Sequence, residues 1–149
     1  MVALIDFAVS LSILALLMVW YGVMPGWQIL LLPVFVALAL LASLGPAIWA
    51  AAVVVKYRDF RFVVPFVLQF GLYVSPVGFP SSVVPERWRL LYNLNPMVGI
   101  IDGFRWCIAG GDSPIYWPGF VISLGVMVFF LWLGIRTFRR IERGFADMI

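Results

Sequence analysis

From Phe7 to Val55 the chain has no Asp, Glu, Lys or Arg, a run of 49 residues. As one helix, at 1.5 Å per residue, it would be about 73 Å long. A bilayer core takes only about 20 helical residues. The run must therefore fold back once. The break lies at Tyr21-Gly22-Val23-Met24-Pro25-Gly26-Trp27, where Pro and Gly meet between interfacial aromatics. This predicts a first span over about 4–21 and a second over about 28–55. The second is long for one crossing. Pro33, Gly45 and Pro46 predict a tilt or kink in it, because Pro removes a backbone donor.

Two more uncharged runs, Phe62 to Pro85 and Ser113 to Ile135, are each long enough for one crossing. They predict a third span over about 62–79, weakening at Ser75-Pro76-Val77-Gly78-Phe79-Pro80, and a fourth over about 118–135. Pro118 sits at a favoured first helical position. Residues 1–149 then form a single all-α integral membrane domain with four transmembrane helices and both termini on one side. Composition agrees: 64% of residues are hydrophobic and 11% charged, with mean hydropathy +1.09. Soluble domains are about half apolar and a quarter charged. A soluble domain, a disordered tail and a disulfide-rich scaffold are excluded. So few charges on so apolar a chain fit a membrane, and not nucleic acid, despite a pI near 9.4.

Lys and Arg set the orientation. Lys56, Arg58 and Arg61 lie between spans two and three, and Arg136, Arg139, Arg140 and Arg143 follow span four. Only Arg87, Arg89 and Arg105 lie on the other side. The richer side faces the cytoplasm by the positive-inside rule. Trp20, Trp27, Trp88, Trp106 and Trp117 then gather at the outer face as an interfacial belt. The opening Met1-Val2-Ala3-Leu4-Ile5-Asp6 has no basic region and no cleavage site, so it does not read as a signal peptide. A span that starts inside is normally preceded by Lys or Arg. The chain is expected to be the later part of a longer protein.

The outer segment 81–117 is no ordinary loop. Pro85-Glu86-Arg87-Trp88-Arg89-Leu90-Leu91-Tyr92 opens with Pro and an acid in the first turn, which predicts a short helix over about 85–92. Asn95 as N-cap and Pro96 as first residue open another, about 96–109, stopped at Gly110-Gly111. Asp102 and Arg105 stand three apart and can pair on one face. Two such helices between full spans form either a re-entrant pair or amphipathic helices lying flat on the outer surface. Irregular backbone at membrane depth survives only where protein or a water-filled cavity covers it.

The inner loop with its sequel, Lys56-Tyr57-Arg58-Asp59-Phe60-Arg61-Phe62-Val63-Val64-Pro65, is followed by Tyr73-Val74-Ser75-Pro76-Val77. Then come Val84-Pro85-Glu86-Arg87-Trp88, Leu94-Asn95-Pro96 and Gly103-Phe104-Arg105. In this order and spacing the set resembles the permease subunit of bacterial type-2 ABC exporters, in the branch that exports polysaccharide and polyol phosphate. The resemblance covers nearly the whole chain. It implies a six-span fold of which this chain holds the last four, with the outer re-entrant pair between the last two. An interfacial helix, two spans and a first coupling helix of the family are not in this sequence. It also implies an ATP-binding partner subunit, a homodimer of the permease, and a lipid-linked polysaccharide (O-antigen, capsule or teichoic acid type) as cargo in the inner membrane.

The same resemblance places a coupling element for the ATPase at Lys56, Tyr57, Arg58, Asp59, Phe60 and Arg61. Physically this is a short charged turn between two spans, whose Arg58 and Arg61 can pair with acids and whose Tyr57 and Phe60 can fill a groove. A loop that only sets orientation would have the same composition. Tyr73, Phe79, Trp88 and Trp106 are candidates for the substrate pathway, since aromatic faces suit pyranose rings; interfacial anchoring explains them equally. Arg136, Arg139, Arg140 and Arg143 share one face of a helical tail with Phe138, Ile141 and Phe145 between them, a pattern for anionic lipid or for the ATPase. Asp6 is reachable from the inner headgroups and is not expected to relay protons.

A membrane transferase or protease would need paired carboxylates, a Ser-His set or a metal cluster. With no His, a lone Cys107 and no acid pair inside the spans, the chain offers none of these. No catalytic residue, metal or cofactor is therefore expected. A channel or secondary carrier would show inverted repeats or midplane charges, and neither appears.

Overall fold

Two stretches are long and apolar enough to cross a bilayer, Trp27–Lys56 and Trp117–Glu142. They are built into the longest helices of the computed structural model, which describes residues 2–22, 26–109 and 115–146. The chain runs as α1 (Val2–Trp20), a 3-10 turn (Trp27–Leu31), α2 (Leu32–Lys56), α3 (Phe60–Val74), a second 3-10 turn (Ser81–Val83), α4 (Glu86–Tyr92), α5 (Pro96–Ile108) and α6 (Trp117–Ala146). No strand occurs among the described residues. This is an all-α membrane architecture. The Val23-Met24-Pro25 part of the first break, the Gly110-Gly111 stop and the side chains of Arg143 and Phe145 lie outside the described residues.

The bundle is centred on α2, α5 and α6. Lipid tails are as apolar as Leu, so helices associate in a membrane through close packing and small residues. The α2–α6 seam works this way. A Cβ added to Gly45 would stand 2.7 Å from the backbone nitrogen of Leu131, and one on Gly134 would stand 2.5 Å from the Gly45 carbonyl oxygen. Backbone touches backbone here. Pro46 follows directly inside α2, and the helix continues through it; Pro33 sits in the first turn, where its missing N–H costs nothing.

Helix α5 buries Val98, Gly99, Ile100, Gly103 and Cys107 against the two long helices. Ile100 packs with Ala42 and Met127, each near the middle of its helix. Toward its other end, Gly103 lies directly under the ring of Phe35, and Trp106 meets Trp27 edge to face at 6.1 Å. So α5 runs along α2 and α6, from Ala42 and Met127 toward Phe35 and Trp27. The helix–turn–helix α4–α5 forms a hairpin in chain order whose tip, Asn93-Leu94-Asn95, lies against Ser75 and Ser123.

Helix α3 differs from the sequence expectation. The span expected over 62–79 is helical only as Phe60–Val74, 15 residues, and 75–79 is a bend. The cause is Pro76. The residue before a proline is pushed out of the helical region, and Ser75 is extended at φ −86°, ψ 144°. At 1.5 Å per residue α3 is about 22 Å long, short of a full bilayer core. Its end meets Asn95 at the hairpin tip (below).

α6 also differs: it passes Ile135 without a break and carries Arg136, Arg139 and Arg140 off its end as one helix of 30 residues. Those 30 residues span about 45 Å, beyond the roughly 30 Å of hydrocarbon, so the last turns project. α1 and α3 touch the bundle lightly. α1 meets it through Phe7 against Phe104, rings 6.3 Å apart. No residue of α3 is buried.

Candidate functional site

Tyr57-Arg58-Asp59 turns the chain from α2 into α3. Main-chain bonds hold the turn: Tyr57 N–H donates to Val53 O (2.7 Å), Phe60 N–H to Tyr57 O (3.1 Å) and Phe62 N–H to Asp59 O (3.1 Å). Phe60 is its half-buried anchor, edge-on to Trp49 at 6.4 Å and tilted against Tyr57 at 6.5 Å. Lys56 Nζ stands 5.3 Å over the Tyr57 ring. Lys56, Tyr57, Arg58, Asp59 and Arg61 are all exposed. Among the described residues, Arg58, Asp59 and Arg61 make no side-chain hydrogen bond or ion pair. Asp59 does not cap α3 with its side chain. Main-chain bonds thus hold the turn, and its charged side chains are exposed.

At the other end of α3, a polar joint ties three irregular segments together. Asn95 caps α5 by accepting from Met97 N–H (3.0 Å), and its amide donates to Ser75 Oγ (3.0 Å). Ser75 Oγ in turn donates to Gly71 O (2.7 Å). From α6, Ser123 Oγ donates to Asn93 O (3.0 Å), and the Asn93 amide donates to Arg89 O (2.7 Å). Arg105 donates from both arms of its fork, to Phe79 O and to Pro76 O, each at 3.2 Å, with Asp102 beside it at 3.6 Å. Arg89 fastens the Ser82 and Val84 carbonyls to α4. Ser123 and Arg105 thereby satisfy carbonyls of the bend and the hairpin tip. Ser123→Ala leaves the Asn93 carbonyl without its donor and is expected to destabilise the fold by about 1–2 kcal/mol. Thermal unfolding in detergent measures this, and an unshifted midpoint contradicts it.

The four pathway candidates do not form one group. Phe79 stacks on Tyr92, centroids 6.5 Å apart and planes at 28°. Tyr92 and Trp88 line a cavity of about 340 Å³ with Val74, Val84, Leu91 and Asn95. Phe79 and Trp88 thus share one region. Tyr73 is exposed on α3 beside Val74, and Trp106 is engaged with Trp27 instead. The Tyr92 hydroxyl is buried and without a hydrogen-bond partner among the described residues. Sequence reasoning found Asn95 as a cap and the Asp102–Arg105 pair. It missed Ser75, Asn93 and Ser123, whose partners lie 20 to 30 residues away.

The described residues thus form an all-α membrane bundle with an exposed charged turn at one end of α3 and a polar joint at the other. Residues 2–109 match the family model described as ABC-2 type transporter, and the chain belongs to that family. It is 28% identical over 148 residues, 98% of its own length, to the O-antigen export system permease protein RfbA of Myxococcus xanthus, covering 56% of that protein. A permease of the same description from Klebsiella pneumoniae is 19% identical over 97% of this chain and 56% of its own length. The inner membrane transport permease YadH of Escherichia coli strain K12 is 34% identical over 50% of this chain and 28% of YadH. The chain spans little more than half the length of the O-antigen relatives. No solved structure gives a significant match.

Proposed function

We propose that this chain is a membrane part of an ATP-driven exporter that moves lipid-linked polysaccharide, of O-antigen, capsule or teichoic acid type, across the inner membrane. The observation that carries the reading is the alignment of 98% of the chain with an O-antigen export permease. In this reading α1, α2 and α6 cross the bilayer. α3 with its bend and the hairpin makes the remaining crossing, and both ends of the chain lie in the cytoplasm. ATP is hydrolysed by a separate subunit, which seats on Lys56–Arg61; the free charges of Arg58, Asp59 and Arg61 support this. Four spans are too few to enclose a polymer, so two copies form the path between them. The unburied α3 supports an arrangement in which this helix meets lipid or the second copy.

The test is co-purification of the tagged chain with a soluble ATP-binding subunit, together with deletion of its gene. Retention of the subunit and build-up of polyprenyl-linked glycan in the inner leaflet are expected. A deletion strain with normal surface glycan and no retained subunit contradicts the reading. The similarity to YadH favours one second reading, export of another substrate such as a lipid or drug. That reading predicts a retained ATP-binding subunit with unchanged glycan.

A further inference from the structure

We infer that Arg105 is a positioning residue that carries the movement of α3 into the outer hairpin. The inference rests on the exporter reading, since it needs a partner that drives the Lys56–Arg61 turn. Helix α3 has no buried residue along its 15 positions. It is fastened at its two ends. One end is the inner turn, joined to α2 by main-chain bonds. The other is the bend at 75–79, held to α5 by Asn95 on Ser75 Oγ and by Arg105 on the Pro76 and Phe79 carbonyls. A helix free in its middle and tied at both ends acts as a strut. A tilt applied at the turn arrives at the bend. Along the chain it passes through 80–85 into α4, but it reaches α5 across the Asn95 and Arg105 bonds.

The guanidinium is suited to that task. Its planar fork spans two carbonyls three residues apart, which an ammonium group on a flexible stem cannot grip together. Asp102, one turn earlier on the same helix, supplies the counter-charge that lets a cation remain in a part-buried site; the two side chains are only 27% and 14% exposed for Arg105 and Asp102. α5 in turn packs along α2 and α6. The clamp therefore sits where a helix with no buried residue meets the tightest part of the bundle. Phe79, whose carbonyl Arg105 holds, stacks on Tyr92 at the end of α4. A shift of the bend thus reaches the aromatic face of the cavity directly.

The experiment uses the chain assembled with its ATP-binding subunit in proteoliposomes, with Cys107 replaced by Ala and single spin labels at two sites. One label is at Gly71 on α3, where an added side chain meets open space, and the other at Ile108 at the end of α5. In the parent protein ATP is expected to shift both spectra. In Arg105→Gln the Gly71 label still responds, the Ile108 label loses most of its response, and export falls about tenfold or more while ATP hydrolysis stays within about twofold. Arg105→Lys, which keeps the charge and reaches one carbonyl, falls between. Should Arg105→Gln not assemble, the lysine variant carries the test. An Ile108 label that responds equally in the variants overturns the inference and leaves the exporter reading standing. A parent protein in which neither label responds to ATP overturns both.

Discussion

Arg58→Glu is expected to abolish export while the chain still inserts and folds. The side chain is exposed at a turn whose shape depends on main-chain bonds and the Phe60 anchor, so reversal of its charge leaves the fold alone. Exposed substitutions away from such anchors change stability by about 0.5 kcal/mol or less. The partner surface is another matter. If Arg58 meets an acidic groove as proposed, an anion in its place costs both the pair and a new repulsion, and losses of about 2 kcal/mol or more are usual at interface hot spots. That is about a 30-fold fall in affinity for the ATP-binding subunit. Binding of the purified subunit to proteoliposomes checks it, with thermal unfolding alongside. Unchanged binding and export would assign the turn to orientation alone.

Gly45→Leu is expected to have the opposite profile, loss of the fold rather than of the partner. A Cβ at Gly45 already falls 2.7 Å from Leu131 N and 2.8 Å from Phe130 C, and these are backbone atoms that no rotamer change can move. The helices must separate, at a cost of about 3 kcal/mol or more, the upper range for overpacking. Gly71→Leu is the control, because nothing lies within 4 Å of its added Cβ. Thermal unfolding in detergent should fall steeply for the first variant and stay near the parent for the second. Equal midpoints would mean that the α2–α6 seam is not where the bundle is held.

The sequence made the helices legible because uncharged runs, proline positions and the basic bends are local signals. Asn95 followed by Pro96 marks the start of α5 by itself, and Asp102 with Arg105 shows a pair at i, i+3. The end of α3 was only half visible. Pro76 weakens the pattern, but the apolar letters run on to Phe79, and hydropathy does not distinguish a bend from a helix. The joint itself left no local mark. Ser75, Asn93 and Ser123 are ordinary small polar residues until folding sets them side by side. The same holds for Gly45 and Gly134, far apart in sequence, where only the approach of α2 to α6 makes the missing side chains matter. The pathway candidates divided for a related reason. Aromatic residues that all suit an interface say nothing of their neighbours, and Trp106 turned to Trp27 while Phe79 turned to Tyr92.

The most direct check is thiol labelling of Arg58→Cys, with Cys107 replaced by Ala, using a reagent that does not cross membranes. Labelling in inside-out vesicles and none in intact spheroplasts puts the 57–59 turn in the cytoplasm, where an ATP-binding subunit can reach it. Labelling in intact spheroplasts would put the turn on the outer face, and an ATP-driven reading of this chain could not stand.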